Sequence, residues 1–105
     1  MIIVISPKNL IIRNLWDNSG IRINGGSGDA NIMYFDTTLL NVGIGTTTPN
    51  TSALLDLTST TGSLLVPRMT TTQKNALTAV NGMILYDTTL GKFQGYEAGA
   101  WVNLV

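Results

Sequence analysis

Apolar positions along this chain recur in short runs and alternations, separated by turn-forming residues, and only one stretch carries a helical pattern. Ile2–Ile5 and Leu10–Ile12 are apolar runs divided by Pro7-Lys8-Asn9. Ile21-Arg22-Ile23 alternates between the turn cluster Asp17-Asn18-Ser19-Gly20 and the stretch Asn24-Gly25-Gly26-Ser27-Gly28-Asp29. Ile32–Phe35 is a further run. Val42 and Ile44 alternate with Gly43 and Gly45 until Thr46-Thr47-Thr48-Pro49-Asn50 stops the pattern, and Leu55 and Leu57 flank Asp56. Period-two alternation bounded by Gly, Pro, Asn and Asp predicts strands, so the chain is expected to be mainly β.

The helical exception lies at residues 70–80. Thr70-Thr71-Thr72-Gln73 fits a capping box, in which the Thr70 hydroxyl accepts from the Gln73 amide and the Gln73 side chain reaches back to the Thr70 amide. Gln73, Ala76, Leu77 and Val80 then share one side, and Gly82 can close the helix in the left-handed conformation. Pro67 keeps Val66 extended, so Leu64-Leu65-Val66 is expected to be a strand leading in. Met83–Asp87, Lys92–Tyr96 and Trp101–Val105 read as a C-terminal three-strand meander, turning at Thr88–Gly91 and Glu97–Ala100. The heptads Met33–Leu39 and Ile84–Leu90 share Asp-Thr-Thr-Leu. Either one strand-to-turn device occurs twice, or Asp and Thr recur because both are good turn residues.

Each strand offers only two or three inward side chains, whereas Thr, Asn, Ser and Gly supply 42 of the 105 residues. At roughly 25 cal/mol per Å² such a core falls short of the cost of ordering the chain alone. Several copies packing the same Ile and Leu rows around a shared axis would supply the missing burial. Charge agrees with assembly. Lys+Arg 6 cancels Asp+Glu 6, charged residues are 11%, and there is no basic face for nucleic acid or an anionic membrane. Apolar runs are too short to span a bilayer, and Met1–Pro7 lacks the basic start of a signal peptide.

The chain has no His and no Cys, which removes the imidazole base, the thiolate nucleophile, the zinc ribbon and the disulfide. Gly43-Ile44-Gly45-Thr46-Thr47-Thr48 begins like a dinucleotide fingerprint, but Thr48 stands where the third Gly belongs and Pro49 follows. Glycines that allow close backbone packing are the better account. Gly25–Ile32 resembles a calcium-binding nonapeptide with its carboxylate one position early, and only Asp17 and Asp29 are near in sequence. A glycine turn is expected there instead. Asp87 and Glu97 could be a glycosidase pair, yet Asp87 suits a turn opening and Glu97 a solvated position. Lys92 has no second cation to activate it. No catalytic residue, metal site or cofactor is therefore expected. Tyr86, Tyr96 and Trp101 are either the bulk of a small β core, together with Trp16, or a stacking platform for a host-surface glycan. Arg68, before the helix cap, is either solvated or paired with a neighbouring chain.

Three segments in order carry a resemblance. Asn41-Val42-Gly43-Ile44-Gly45-Thr46-Thr47-Thr48-Pro49 with Leu55-Asp56-Leu57 resembles the "NVGIGTTxP…LDV" segment of phage tail fibres and related bacterial surface proteins. Leu64–Leu77 is similar to their "GLLLPRMTTTQRDAI" segment, and Gly82–Thr89 through Tyr96 and Ala100-Trp101-Val102 to their closing "IYNTTT…YNGSAW" pattern. Lys74, Asn75 and Asp87 depart from the usual Arg, Asp and Asn. The resemblance implies an intertwined, homotrimeric, fibre-like module of an extracellular appendage or virion, structural and without an enzymatic site.

The expected architecture is a mainly β homotrimeric module with one short helix. Residues 1–57 form a β-rich shaft segment, and 58–105 a knob of strand, capped helix and meander. Inter-chain contacts are expected at Ile21, Ile23, Val42, Ile44, Leu55, Leu57 and Arg68. Partners are the chain itself, other fibre segments and a host glycan at Tyr86, Tyr96 and Trp101, with neither nucleic acid nor membrane insertion. Two further readings remain: a receptor-binding tip, and a filament in which Ile2–Ile5 completes a neighbour's sheet edge.

Overall fold

The computed structural model describes residues 2–5, 10–13, 21–24 and 31–105. Trp16, the turn at Asp17–Gly20 and the glycine stretch with Asp29 lie outside the described residues. The chain divides into two compact units, residues 1–63 and 64–105. Among the described residues there are ten strands and one short helix.

In the first unit β1 (Ile2–Ile5) pairs antiparallel with β2 (Leu10–Arg13). A separate sheet has the order β3-β4-β5-β6, formed by Ile21–Asn24, Asn31–Asp36, Asn41–Ile44 and Leu55–Leu57. β3, β4 and β5 run antiparallel in sequence, and β6 returns parallel to β5. Asp36 turns the chain between β4 and β5. Its Oδ1 accepts from the amides of Thr38 and Leu39, both at 2.8 Å, and Leu40 completes the turn at φ 57°. The β5–β6 approach requires glycine. A Cβ at Gly45, where φ is +77°, would stand 2.1 Å from the Thr58 carbonyl oxygen. Close packing, the sequence's ordinary account of Gly43 and Gly45, is what is found.

In the second unit the order is β10-β9-β8-β7, formed by Ala100–Asn103, Lys92–Glu97, Ile84–Asp87 and Arg68–Met69. β8, β9 and β10 are antiparallel neighbours, while β7 lies parallel to β8 with the helix α1 (Thr71–Asn75) between them in sequence. The β9–β10 turn places Ala98 at φ 50° and Gly99 at φ 81°, the two positive angles of a two-residue hairpin.

Two local expectations are corrected. The helix over 70–80 stops after Asn75. Its capping box forms as expected, but the Ala76 amide is shared between Thr72 O and Gln73 O, and the Leu77 amide reaches only Lys74 O. Leu77 and Val80 stay exposed, so no apolar stripe holds a longer helix against the sheet. The buried helix residue is Lys74 instead. Gly82 lies in the turn that leads into β8, its amide donating to Tyr96 O at 2.8 Å. The strand expected at Leu64–Val66 is displaced to Arg68–Met69, because the ladder to β8 begins at the Pro67 carbonyl, which accepts from the Tyr86 amide. Leu64 and Leu65 remain exposed.

Candidate functional site

Pairing register decides which side chains share a face. In the first unit Ile21 stands opposite Phe35 and Ile23 opposite Met33. Phe35 in turn meets Val42, and Met33 meets Ile44. Val42 and Ile44 continue to Leu55 and Leu57. Ile21, Ile23, Met33, Phe35, Val42, Ile44, Leu55 and Leu57 therefore line one side of a four-stranded sheet, and none of them is buried. Leu55 is 54% exposed. The opposite side carries buried Tyr34, Gly43 and Asn41 with Asp36 and Asp56. Here Asp56 accepts from the Asn50 amide at 2.9 Å and from the Thr58 hydroxyl at 3.0 Å. So the polar side holds a hydrogen-bonded cluster, in which Asn41 Nδ2 also donates to Asn50 O at 3.2 Å, while the apolar side is open.

The structure thus brings together all six apolar residues expected between chains and adds Met33 and Phe35. Those two sit in the continuous run Ile32–Phe35, where alternation gives no face. Their cross-strand partners supply it.

The second unit has the same asymmetry. On one side α1 covers a polar cluster. Lys74 Nζ lies 2.8 Å from Asp87 Oδ2 and donates to Gln94 Oε1 at 2.6 Å, with both carboxylate and ammonium buried. Thr71 Oγ1 donates to Asp87 at 2.7 Å, the Thr89 and Leu90 amides donate at 3.0 Å, and Gln94 Nε2 donates to Asn103. Burial alone would raise the Asp87 carboxyl. The Lys74 ammonium, the Leu90 amide and the Thr71 hydroxyl overcome this and lower it from 3.8 to about 2. A carboxylate so committed is a structural ion rather than a proton donor. Glu97 is exposed, and strand alternation puts it on the other side of the sheet at the far end of β9, so the two do not make a facing pair. Lys74 and Asp87, two of the three departures from the resembling pattern, are thus partners.

Tyr96 and Trp101, opposite each other in register, form an edge-to-face pair with centroids 5.1 Å apart on the helix side. Lys74 Nζ sits 5.8 Å from the Trp101 ring centroid. Beside the pair is a shallow groove of about 300 Å³ that Asn75, Leu77 and Gly99 help to line. Tyr86 is not part of this platform. It lies on the other side of the sheet, edge-on to Phe93 at 5.1 Å.

That other side carries Ile84, Tyr86, Phe93, Val102 and Leu104, none buried. Arg68 borders Tyr86 in register, is exposed, and has no ion pair among the described residues. No group of three or more acidic side chains able to hold a metal ion occurs among the described residues, which include no helix long and apolar enough to cross a membrane.

Residues 43–105 match the profile of a family described as the phage tail like trimerisation region. No curated protein and no solved structure matches the chain.

Proposed function

Since the chain belongs to the phage tail like trimerisation region family, we propose that it is a structural segment of a homotrimeric tail fibre. In this reading residues 1–57 are shaft, and 58–105, with the capped helix and C-terminal meander, are a knob. The fibre is carried outside the cell on the virion and takes part in attachment to a host surface. One observation supports this reading most: the row from Ile21 and Ile23 through Val42 and Ile44 to Leu55 and Leu57 is left unburied by its own chain. A large open apolar face on a single chain marks an association surface. Its role is mechanical, and no residue is assigned to catalysis.

Light scattering behind a sizing column tests it. A mass three times the 11.2 kDa of the chain supports the trimer. A folded species of one chain mass at all concentrations would sink it. Replacing Leu55 with Asp should lower the mass toward that of one chain while leaving the β circular dichroism in place.

A glycan-binding tip is the second reading, favoured by the groove beside Tyr96 and Trp101. Its check is tryptophan fluorescence on titration with oligosaccharides of the host surface. A saturable change that is absent in Trp101→Ala supports contact, and a flat titration removes it.

A further inference from the structure

The open side of the second unit's sheet has two unlike edges. Beside β7 lies an apolar cleft of about 210 Å³ lined by Leu64, Leu65, Val66, Arg68, Tyr86 and Phe93. At the β10 edge, Val102 and Leu104 project onto the same side. Leu104 lies over Gly95, where a Cβ would stand 2.8 Å from Leu104 Cδ2, and it is still exposed. Gly95 thus gives Leu104 its seat.

These two features stand at one level. Arg68 is opposite Tyr86, Tyr86 is opposite Phe93, and the Leu104 amide donates to Phe93 O at 3.0 Å. Cleft and leucine are therefore at opposite ends of the same row across the sheet. Rotation about an axis running along the strands brings same-level features of successive copies together. A contact between unlike patches closes into a ring when the rotation closes. A trimerisation region needs such a pair of patches.

We propose that the Leu64–Leu65–Val66 cleft receives Leu104 and Val102 of a second copy of this chain, each copy giving its β10 edge to the next. The proposal rests on the trimer reading above and names the surface that carries it in residues 64–105. Arg68, without an ion pair among the described residues and at the rim of the cleft, then faces β10, a sheet edge whose outward carbonyls have no strand partner among the described residues. Its planar donors suit carbonyl oxygens.

The absence of cysteine from the chain makes the test clean. The full chain is prepared as Leu65→Cys, as Leu104→Cys and as the double variant, and each is treated with a short bis-maleimide. The expected result is a covalent three-chain species from the double variant alone, since each link joins position 65 of one chain to 104 of the next. A wild-type mass of three chains without that species, or with dimers from either single variant, would overturn the assignment of this surface and leave the trimer standing. A wild-type mass of one chain would overturn both. Leu65→Asp, on an exposed side chain, should independently lower the mass from three chains to one. Retention of the full mass would count against the cleft.

Discussion

Asp36 and Asp87 turn the chain in the same way. Each ends a strand, and each offers one carboxylate oxygen to the amides two and three residues on, at 2.8 Å for Asp36 and 3.0 Å for Asp87. Each is followed by a residue at positive φ, Leu40 in one hairpin and Gly91 in the other. The shared Asp-Thr-Thr-Leu is thus one device used in both units. The second copy has been drawn into a buried ion pair with Lys74. Asp36→Asn should therefore cost about 1 kcal/mol, the loss of charge-assisted bonds at a partly solvated turn. Asp87→Asn should cost several-fold more, because it also leaves the Lys74 ammonium buried without its counter-charge. Urea denaturation of the two variants side by side checks the ranking.

Asp87 should make stability fall in acid. Its folded-state carboxyl is held at about 2 against an ordinary 3.8, so its contribution to stability is complete above that ordinary value. That contribution declines as pH falls from 3.8 and is gone below about 2. Thermal melts across this window should show a slope in the wild type that is reduced in Asp87→Asn. Equal slopes would mean that other carboxylates govern acid unfolding.

Gly45 and Gly82 separate two costs of a side chain. Both have positive φ, at +77° and +100°, but only at Gly45 would a Cβ collide with backbone. Gly82→Ala meets open space and should cost about 1–2 kcal/mol from conformation alone. Gly45→Ala adds the clash with the Thr58 carbonyl and should exceed about 3 kcal/mol, separating β6 from β5. Amide exchange at Thr58, whose N–H donates to Ile44 O at 2.9 Å, reports that separation directly.

Two other residues hold left-handed conformations without being glycine. Leu40 is 77% exposed at φ 57°, and Ala98 sits at φ 50°. Leu40→Gly reproduces the hairpin that Gly91 already forms, and Ala98→Asn completes the Asn-Gly pair favoured in a two-residue turn. Each should raise stability by about 0.5–1 kcal/mol, seen as a higher Tm. A fall in either would show that local strain is not what limits these turns.

Strand positions were readable because alternation at Ile21–Ile23, Val42–Gly45 and Leu55–Leu57 survives pairing unchanged. Faces were readable only where alternation existed. Phe35 and Met33, inside a continuous apolar run, acquire theirs from Val42 and Ile44 across the ladder. Helix length was not readable. Leu77 and Val80 suggested an apolar stripe, whereas the helix is held by a buried Lys74 whose partners, Asp87 and Gln94, come from β8 and β9. A lysine on a short helix normally points to water, and nothing local in Thr72-Gln73-Lys74-Asn75 signals otherwise. The aromatic trio divided for a similar reason. Tyr86 and Tyr96 belong to different strands, and their sides follow from the β8–β9 register, which no spacing along the chain reveals.

The open side of the first unit's sheet has a thermodynamic consequence. If another copy covers this face, as proposed, folding and mass action merge into a single equilibrium. Dilution then acts as a denaturant. The melting temperature becomes a property of the solution as much as of the polypeptide, climbing with chain concentration and losing that dependence once neighbouring chains are covalently joined.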